Sequence, residues 1–183
     1  MDHGDHVALI RGGVEGAGPR WLELGAGDGE FTLALADILG PLGGITALDR
    51  DRRALDSLAA RVRAHVPDTR LETIEADFTR DLPAGPFDGV LAANSPHFVD
   101  EPLPTLRAVR DRLAPAGRLV LVEYDSDHGN PWVPHPISLA RWHVLAPAAG
   151  FTDPSLLHRV PSRFLGSIYA AVTTRLPGDR AAS

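Results

Sequence analysis

Cysteine is absent from this chain, which excludes disulfides, thiolate metal sites and a thiol nucleophile. Lysine and glutamine are absent as well. All eighteen basic residues are arginine, and asparagine occurs only at positions 94 and 130. A GC-rich genome accounts most simply for that bias. Selection against thermolabile amides is a weaker account, because hyperthermophile proteomes are enriched in lysine. Positive charge is in deficit, with a formal net charge of −6, so no global field draws nucleic acid or an anionic membrane to the surface. No apolar run approaches membrane-spanning length. The first residues, from Met1 to His6, are polar and acidic, unlike a secretory signal. Internal repeats and low-complexity segments are lacking too. A cytoplasmic enzyme is the expectation these absences leave.

The 183 residues are enough for one domain with a sizeable core, and 44% apolar with 23% charged content is ordinary for a globular chain. Its organising stretch runs from Trp21 to Glu30. An apolar run containing Glu23 leads into Gly25, Ala26, Gly27, Asp28 and Gly29, and Phe31 to Ala36 then opens a helical pattern. This is the signature of a buried strand, a tight turn and a helix N-terminus. Glycine there lets backbone approach a ligand, and a helix start offers N–H groups to it. The spacing is G-x-G-x-G. A dinucleotide fingerprint, G-x-G-x-x-G, needs glycine at position 30, which is Glu30.

Further along, a short strand predicted over 45–48 ends at Asp49 and Arg50, with the acid 20 residues past Gly29. A carboxylate there suits the two vicinal hydroxyls of a ribose. Asp51 is the predicted cap of a helix over 52–65. A third strand over 71–75 leads to Asp77 and Phe78, and a fourth over 86–93 to Asn94, Ser95, Pro96, His97 and Phe98. Ligands of open α/β sheets bind outside such strand ends. Helices are predicted over 102–113 and 137–149, and strands over 118–124, 155–160 and 168–174. The last two strands have no intervening helix, which predicts an antiparallel hairpin. Between them and the fifth strand, residues 125–136 form a loop holding His128, Asn130, Trp132 and His135. His3 and His6 are read as solvated residues of a frayed terminus.

The acid-x-G-x-G-x-G pattern, with Asp49 and Asp77 following in order, resembles the class I S-adenosylmethionine-dependent methyltransferases over residues 20–175. The resemblance implies a three-layer α/β/α sandwich with a seven-stranded, mostly parallel sheet of order 3-2-1-4-5-7-6, strand 7 being antiparallel. It implies a short extension over 1–19, one S-adenosylmethionine-binding domain over 20–175 and a disordered tail over 176–183. Cofactor contacts are expected from Glu23 at the amino end, from Gly25, Ala26, Gly27, Asp28 and Gly29, from Asp49 and Arg50 at the ribose, from Asp77 and Phe78 at the adenine, and from Asn94.

His97 is the expected base, with Tyr124, His128 and His135 as rivals; Ser95, Phe98, Asn130 and Trp132 are expected to meet the acceptor, and no metal is expected. The loop over 125–136 is expected to close on the site with Trp132 as its wall; the alternative cover is a second subunit on Val7, Leu9 and Ile10. Asn94-Ser95-Pro96-His97 matches only two of the four positions of the Asn-Pro-Pro-aromatic form used on base amines, which argues for an oxygen or nitrogen of a small molecule. Other readings are a nucleic-acid or protein methyltransferase, a non-catalytic binding subunit and, less favoured by spacing and hairpin, a nicotinamide-dependent oxidoreductase. No membrane contact is expected, and the chain is read as a monomer or homodimer.

Overall fold

The computed structural model describes residues 1–162 and 164–177. Five helices and seven strands follow in the order α1 (His3–Val14), β1 (Arg20–Leu24), α2 (Glu30–Leu39), β2 (Gly44–Asp49), α3 (Arg52–His65), β3 (Arg70–Glu75), β4 (Phe87–Ala93), α4 (Pro102–Arg112), β5 (Leu113–Tyr124), α5 (Leu139–Ala148), β6 (Ser155–Pro161) and β7 (Ser167–Thr174). The strands form one sheet of order β3-β2-β1-β4-β5-β7-β6. Pairing is parallel from β3 to β5, while β7 runs antiparallel to both β5 and β6. This is the order expected from the sequence resemblance.

Central strands covered on both faces read as continuous apolar runs. In β4 and β5, successive residues alternate between two cores. Val90, Leu119 and Leu121 join Trp142 and Ala146 of α5 and Val109 of α4. Leu91, Val120 and Val122 join Leu9 and Ile10 of α1 and Leu35 of α2. The third helix, α3, packs Leu55, Leu58 and Val62 against Ala47 of β2 and Leu33 of α2. The edge strands β3 and β6 are largely exposed, as outer members of a sheet are.

The N-terminus departs from expectation. Residues 3–14 are a full helix closed by a reciprocal box, in which Asp2 accepts from the Asp5 N–H and Asp5 from the Asp2 N–H, both at 2.9 Å. Leu9 and Ile10 are buried against the sheet, so they offer no surface to a second subunit. A Cβ on Gly13 would stand 2.6 Å from the Val120 side chain, which shows how closely α1 is seated. His6 is buried edge-on to Phe31 at 4.7 Å, and His3 bonds Asp37 at 2.6 Å. His3 stays exposed, as expected, but His6 is not the solvated end group that was expected, and burial pushes its pKa down. At the other end the expected tail falls mostly outside the described residues, and Leu176, which lies inside them, donates its N–H to the Gly150 carbonyl. Among the described residues no helix is long and apolar enough to cross a membrane.

Candidate active site

The chain leaves β1 for β2 on one side and returns to β4 on the other, so β1 and β4 are neighbours where the winding reverses. Such a switch point opens a crevice at the strand C-termini. A cavity of about 420 Å³ lies there, and among its lining residues are Gly25, Gly27, Asp49, Arg50, Asp77, Phe78, Asn94, Ser95 and Phe98. These nine, named from four separated stretches of sequence, are brought together by the parallel register.

Each of the three glycines has its own reason. All have positive φ, at +67° for Gly25, +54° for Gly27 and +93° for Gly29. A Cβ on Gly25 would strike Ser95, and one on Gly29 would lie 2.8 Å from Leu58 Cγ, so both are also needed for packing. Gly27 alone meets nothing within 4 Å and lines the cavity, so a side chain there would occupy the space a ligand takes. Asp49 joins the loop to the rim. One carboxylate oxygen accepts the Gly27 N–H at 2.8 Å, and the other the Asp51 N–H at 2.9 Å. Two backbone donors hold the carboxylate still, and each oxygen keeps a lone pair for a ligand hydroxyl. Asp51 caps α3 by accepting from the Arg53 and Ala54 N–H groups.

Arg61 on α3 clamps this loop. It donates to the Asp28 carbonyl and to the Glu30 carboxylate, both at 2.8 Å. Asp28 thus points outward, Ala26 packs under α3, and neither lines the cavity. Glu23, expected to act on the amino end through backbone or water, keeps its side chain out of the cavity. It is buried behind the loop and accepts the Thr32 hydroxyl at 2.6 Å. Burial, with Asp49 nearby, pushes its carboxyl up to about 8.

Asp77 accepts both the N–H and the hydroxyl of Thr79 through one oxygen, at 2.9 and 2.7 Å, and these bonds hold its pKa down. It therefore caps a turn, and its second oxygen lies 3.8 Å from Arg80. Ala76, Thr79 and Val99 complete the lining; the sequence reading passed over them, though each adjoins a residue it named. The backbone at Asn94 has φ +52° and its N–H is held by the Val122 carbonyl. Its Oδ1 is buried and has no hydrogen-bond partner among the described residues, while the residue itself lines the cavity. Ser95 uses its hydroxyl on the Leu24 carbonyl at 2.6 Å, tying the two strand ends together and removing it from the expected acceptor contact.

His97 lies beneath the Phe98 ring, centroids 4.4 Å apart, with Nδ1 3.0 and 3.1 Å from the two carboxylate oxygens of Glu123. Both side chains are buried, and the Glu123 carboxylate also accepts the Tyr124 N–H at 2.7 Å. Among the described residues Nε2 has no hydrogen-bond partner. Sequence reading named His97 but missed Glu123, 26 positions away; its only signal was an acid in an otherwise apolar strand.

The loop over 125–136 is tied down at several points. The His135 N–H bonds the His97 carbonyl at 3.0 Å and its ring faces Asp100, while Asp127 accepts from Ser138 and Asp125 from the Leu139 N–H. Asn130 folds its oxygen onto the Trp132 and Val133 N–H groups, a turn-forming use. Trp132 is 73% exposed. Asn130, Trp132, His135 and Tyr124 do not line the cavity, so this loop is no wall of it; His97 does not line it either and adjoins it through Phe98, which does.

A family model described as a methyltransferase domain matches residues 22–119. A reducing polyketide synthase from a Penicillium species is 30% identical over 156 residues, which is 73% of this chain and 6% of that protein. A probable cobalt-precorrin-6B C(15)-methyltransferase (decarboxylating) from Thermoplasma volcanium is 28% identical over 106 residues, 56% of this chain and 52% of that one. The chain thus spans about half of the second relative and a small part of the first. Among solved structures, the N-terminal domain of EvdMO1 with S-adenosylhomocysteine bound superposes with a TM-score of 0.71 at 25% identity, covering 97% of this chain and 82% of that one.

Proposed function

Because the chain belongs to the class I S-adenosylmethionine-dependent methyltransferases, we propose that it transfers a methyl group to an oxygen or nitrogen of a small-molecule acceptor at the crevice between β1 and β4. The observation that carries this reading is the grouping of Gly27, Asp49, Asp77 and Asn94 around one cavity. Asp49 holds ribose hydroxyls, Asp77 and Phe78 the adenine edge and ring, and Gly27 with Asn94 the amino-acid portion. When bound, S-adenosylmethionine supplies a methyl carbon on a sulfonium, which is attacked in line as the carbon–sulfur bond breaks.

The chain contributes alignment and proton management. Glu123 accepts the Nδ1 proton of His97, which sets the tautomer and leaves Nε2 as the basic nitrogen. Nε2 takes the proton from the acceptor hydroxyl or amine as the new bond to carbon forms. Phe98, its ring centroid 4.4 Å from that of His97 and its side chain at the cavity lip, is an apolar wall between that imidazole and the cavity.

Calorimetry with S-adenosylhomocysteine tests the cofactor half, with NADH as the control. Binding of the former without competition by the latter is expected, and tight NADH binding alone would defeat the reading. With an acceptor in hand, His97→Gln is expected to lower kcat by about 10²–10⁴, the usual range for a lost general base, while S-adenosylhomocysteine affinity stays unchanged.

A further inference from the structure

Three large aromatic side chains are exposed among the described residues: Phe98 at 56%, Trp132 at 73% and Phe164 at 51%. All three sit on segments at one end of the sheet. Phe98 follows β4, Trp132 follows β5, and Phe164 lies in the β6–β7 turn, which antiparallel pairing brings beside the β5 end. Two of them belong to a row of rings. From Phe98 at the cavity lip the centroids step 4.4 Å to His97, 6.0 Å to Tyr124 and 6.0 Å to Phe164, with interplanar angles of 56°, 55° and 43°. These separations are those of interacting aromatic pairs. The row passes over His97 and extends away from the cofactor cavity.

Among the described residues, the acids nearest the row are matched. Asp125 holds Arg159 at 2.7 Å, and Glu123 is taken up by His97 and the Tyr124 N–H. Burial and the Glu123 carboxylate push the Tyr124 phenol pKa up, which keeps that ring neutral. A row of rings exposed at its Phe98 and Phe164 ends, half-buried at Tyr124, and running past the buried His97–Glu123 pair is an apolar shelf with one imidazole beneath it.

Resting on the methyltransferase reading, we propose that the acceptor is a planar, uncharged aromatic molecule bearing the hydroxyl or amine to be methylated, laid on the shelf of Phe98, Tyr124 and Phe164, with Phe164 its specificity-determining residue. Ring faces and edges reward a flat π-system over a saturated one of equal size. The hydroxyl proton passes to His97 Nε2 as its oxygen gains the methyl carbon.

The probes are 2-naphthol, its saturated analogue decahydro-2-naphthol, and 2-naphthoate, titrated by calorimetry into the chain loaded with S-adenosylhomocysteine. The expected order is 2-naphthol at least tenfold tighter than either other probe. Phe164→Ala is expected to weaken 2-naphthol about tenfold, and Phe164→Leu nearly as much, with S-adenosylhomocysteine affinity within twofold of the parent. Equal affinity for the saturated probe, preference for the carboxylate, or no response to either variant overturns the shelf. If S-adenosylhomocysteine fails to bind, the cofactor reading falls by itself. The shelf is then judged on the unloaded chain, where Phe164-dependent 2-naphthol binding upholds it and no binding overturns it.

Discussion

Glu23 offers the sharpest test of how the glycine loop is built. Its carboxyl sits behind the loop, fully buried, bonded to the Thr32 hydroxyl and raised to about 8 from 4.5. Below about pH 4.5 the group is protonated in both folded and unfolded chains and contributes no pH dependence. Between 4.5 and 8 the unfolded chain gives up this proton while the folded chain keeps it, so folding stability falls as pH rises. Above 8 both forms are ionised and this contribution is flat. The slope approaches about 1.4 kcal/mol per pH unit, so the full window costs roughly 5 kcal/mol, comparable to the whole stability of many domains.

Glu23→Gln keeps an acceptor for Thr32 and cannot ionise. Urea unfolding of parent and variant at pH 5.5 and pH 8 isolates the term, because every other titrating group cancels in the difference. The variant is expected to gain about 3 kcal/mol on the parent between those two values. A difference that does not change with pH would mean that Glu23 ionises freely in the folded chain, and the burial argument would be wrong.

Asp49→Ala removes the acceptor of the Gly27 and Asp51 N–H groups together with the proposed ribose contact. A loss of about 1.5–3 kcal/mol in S-adenosylhomocysteine affinity by calorimetry is expected, the scale of hydrogen bonds to a charged group. Gly27→Val places a branched side chain in the cavity at φ +54°; a folded chain, destabilised by about 1–2 kcal/mol and without measurable cofactor binding, is the expected outcome by circular dichroism and calorimetry. Trp132→Ala is expected to leave both S-adenosylhomocysteine affinity and acceptor kinetics near the parent's, with stability within about 0.5 kcal/mol, because the ring is exposed and outside the cavity.

Much of the fold was legible in the sequence because its strands announce themselves. A sheet covered on both faces demands unbroken apolar runs such as those in β4 and β5, and the turns between elements demand glycine, proline and capping acids. Residue pattern alone was therefore enough for the order of elements from β1 onward, the loop at Gly25–Gly29, the α3 cap at Asp51, and the strand-end positions of Asp49, Asp77 and Asn94; the helix α1 was not legible in it. These are local consequences of chain geometry.

Tertiary structure decided everything that depends on which face a residue turns to and what meets it there. Glu23 and Asp49 are both acids at strand ends, yet one is sealed behind the loop and the other opens on the cavity, because their side chains leave different strands with different cover. Trp132 and His97 both follow the C-terminal ends of strands. Asn130 turns the first outward, while Glu123, on the neighbouring strand, anchors the second. His6 and Phe164 were unremarkable in their local stretches. Docking of α1 on the sheet buried one, and the antiparallel return of β7 carried the other beside Tyr124. Such meetings join residues far apart along the chain, so no local periodicity or spacing records them.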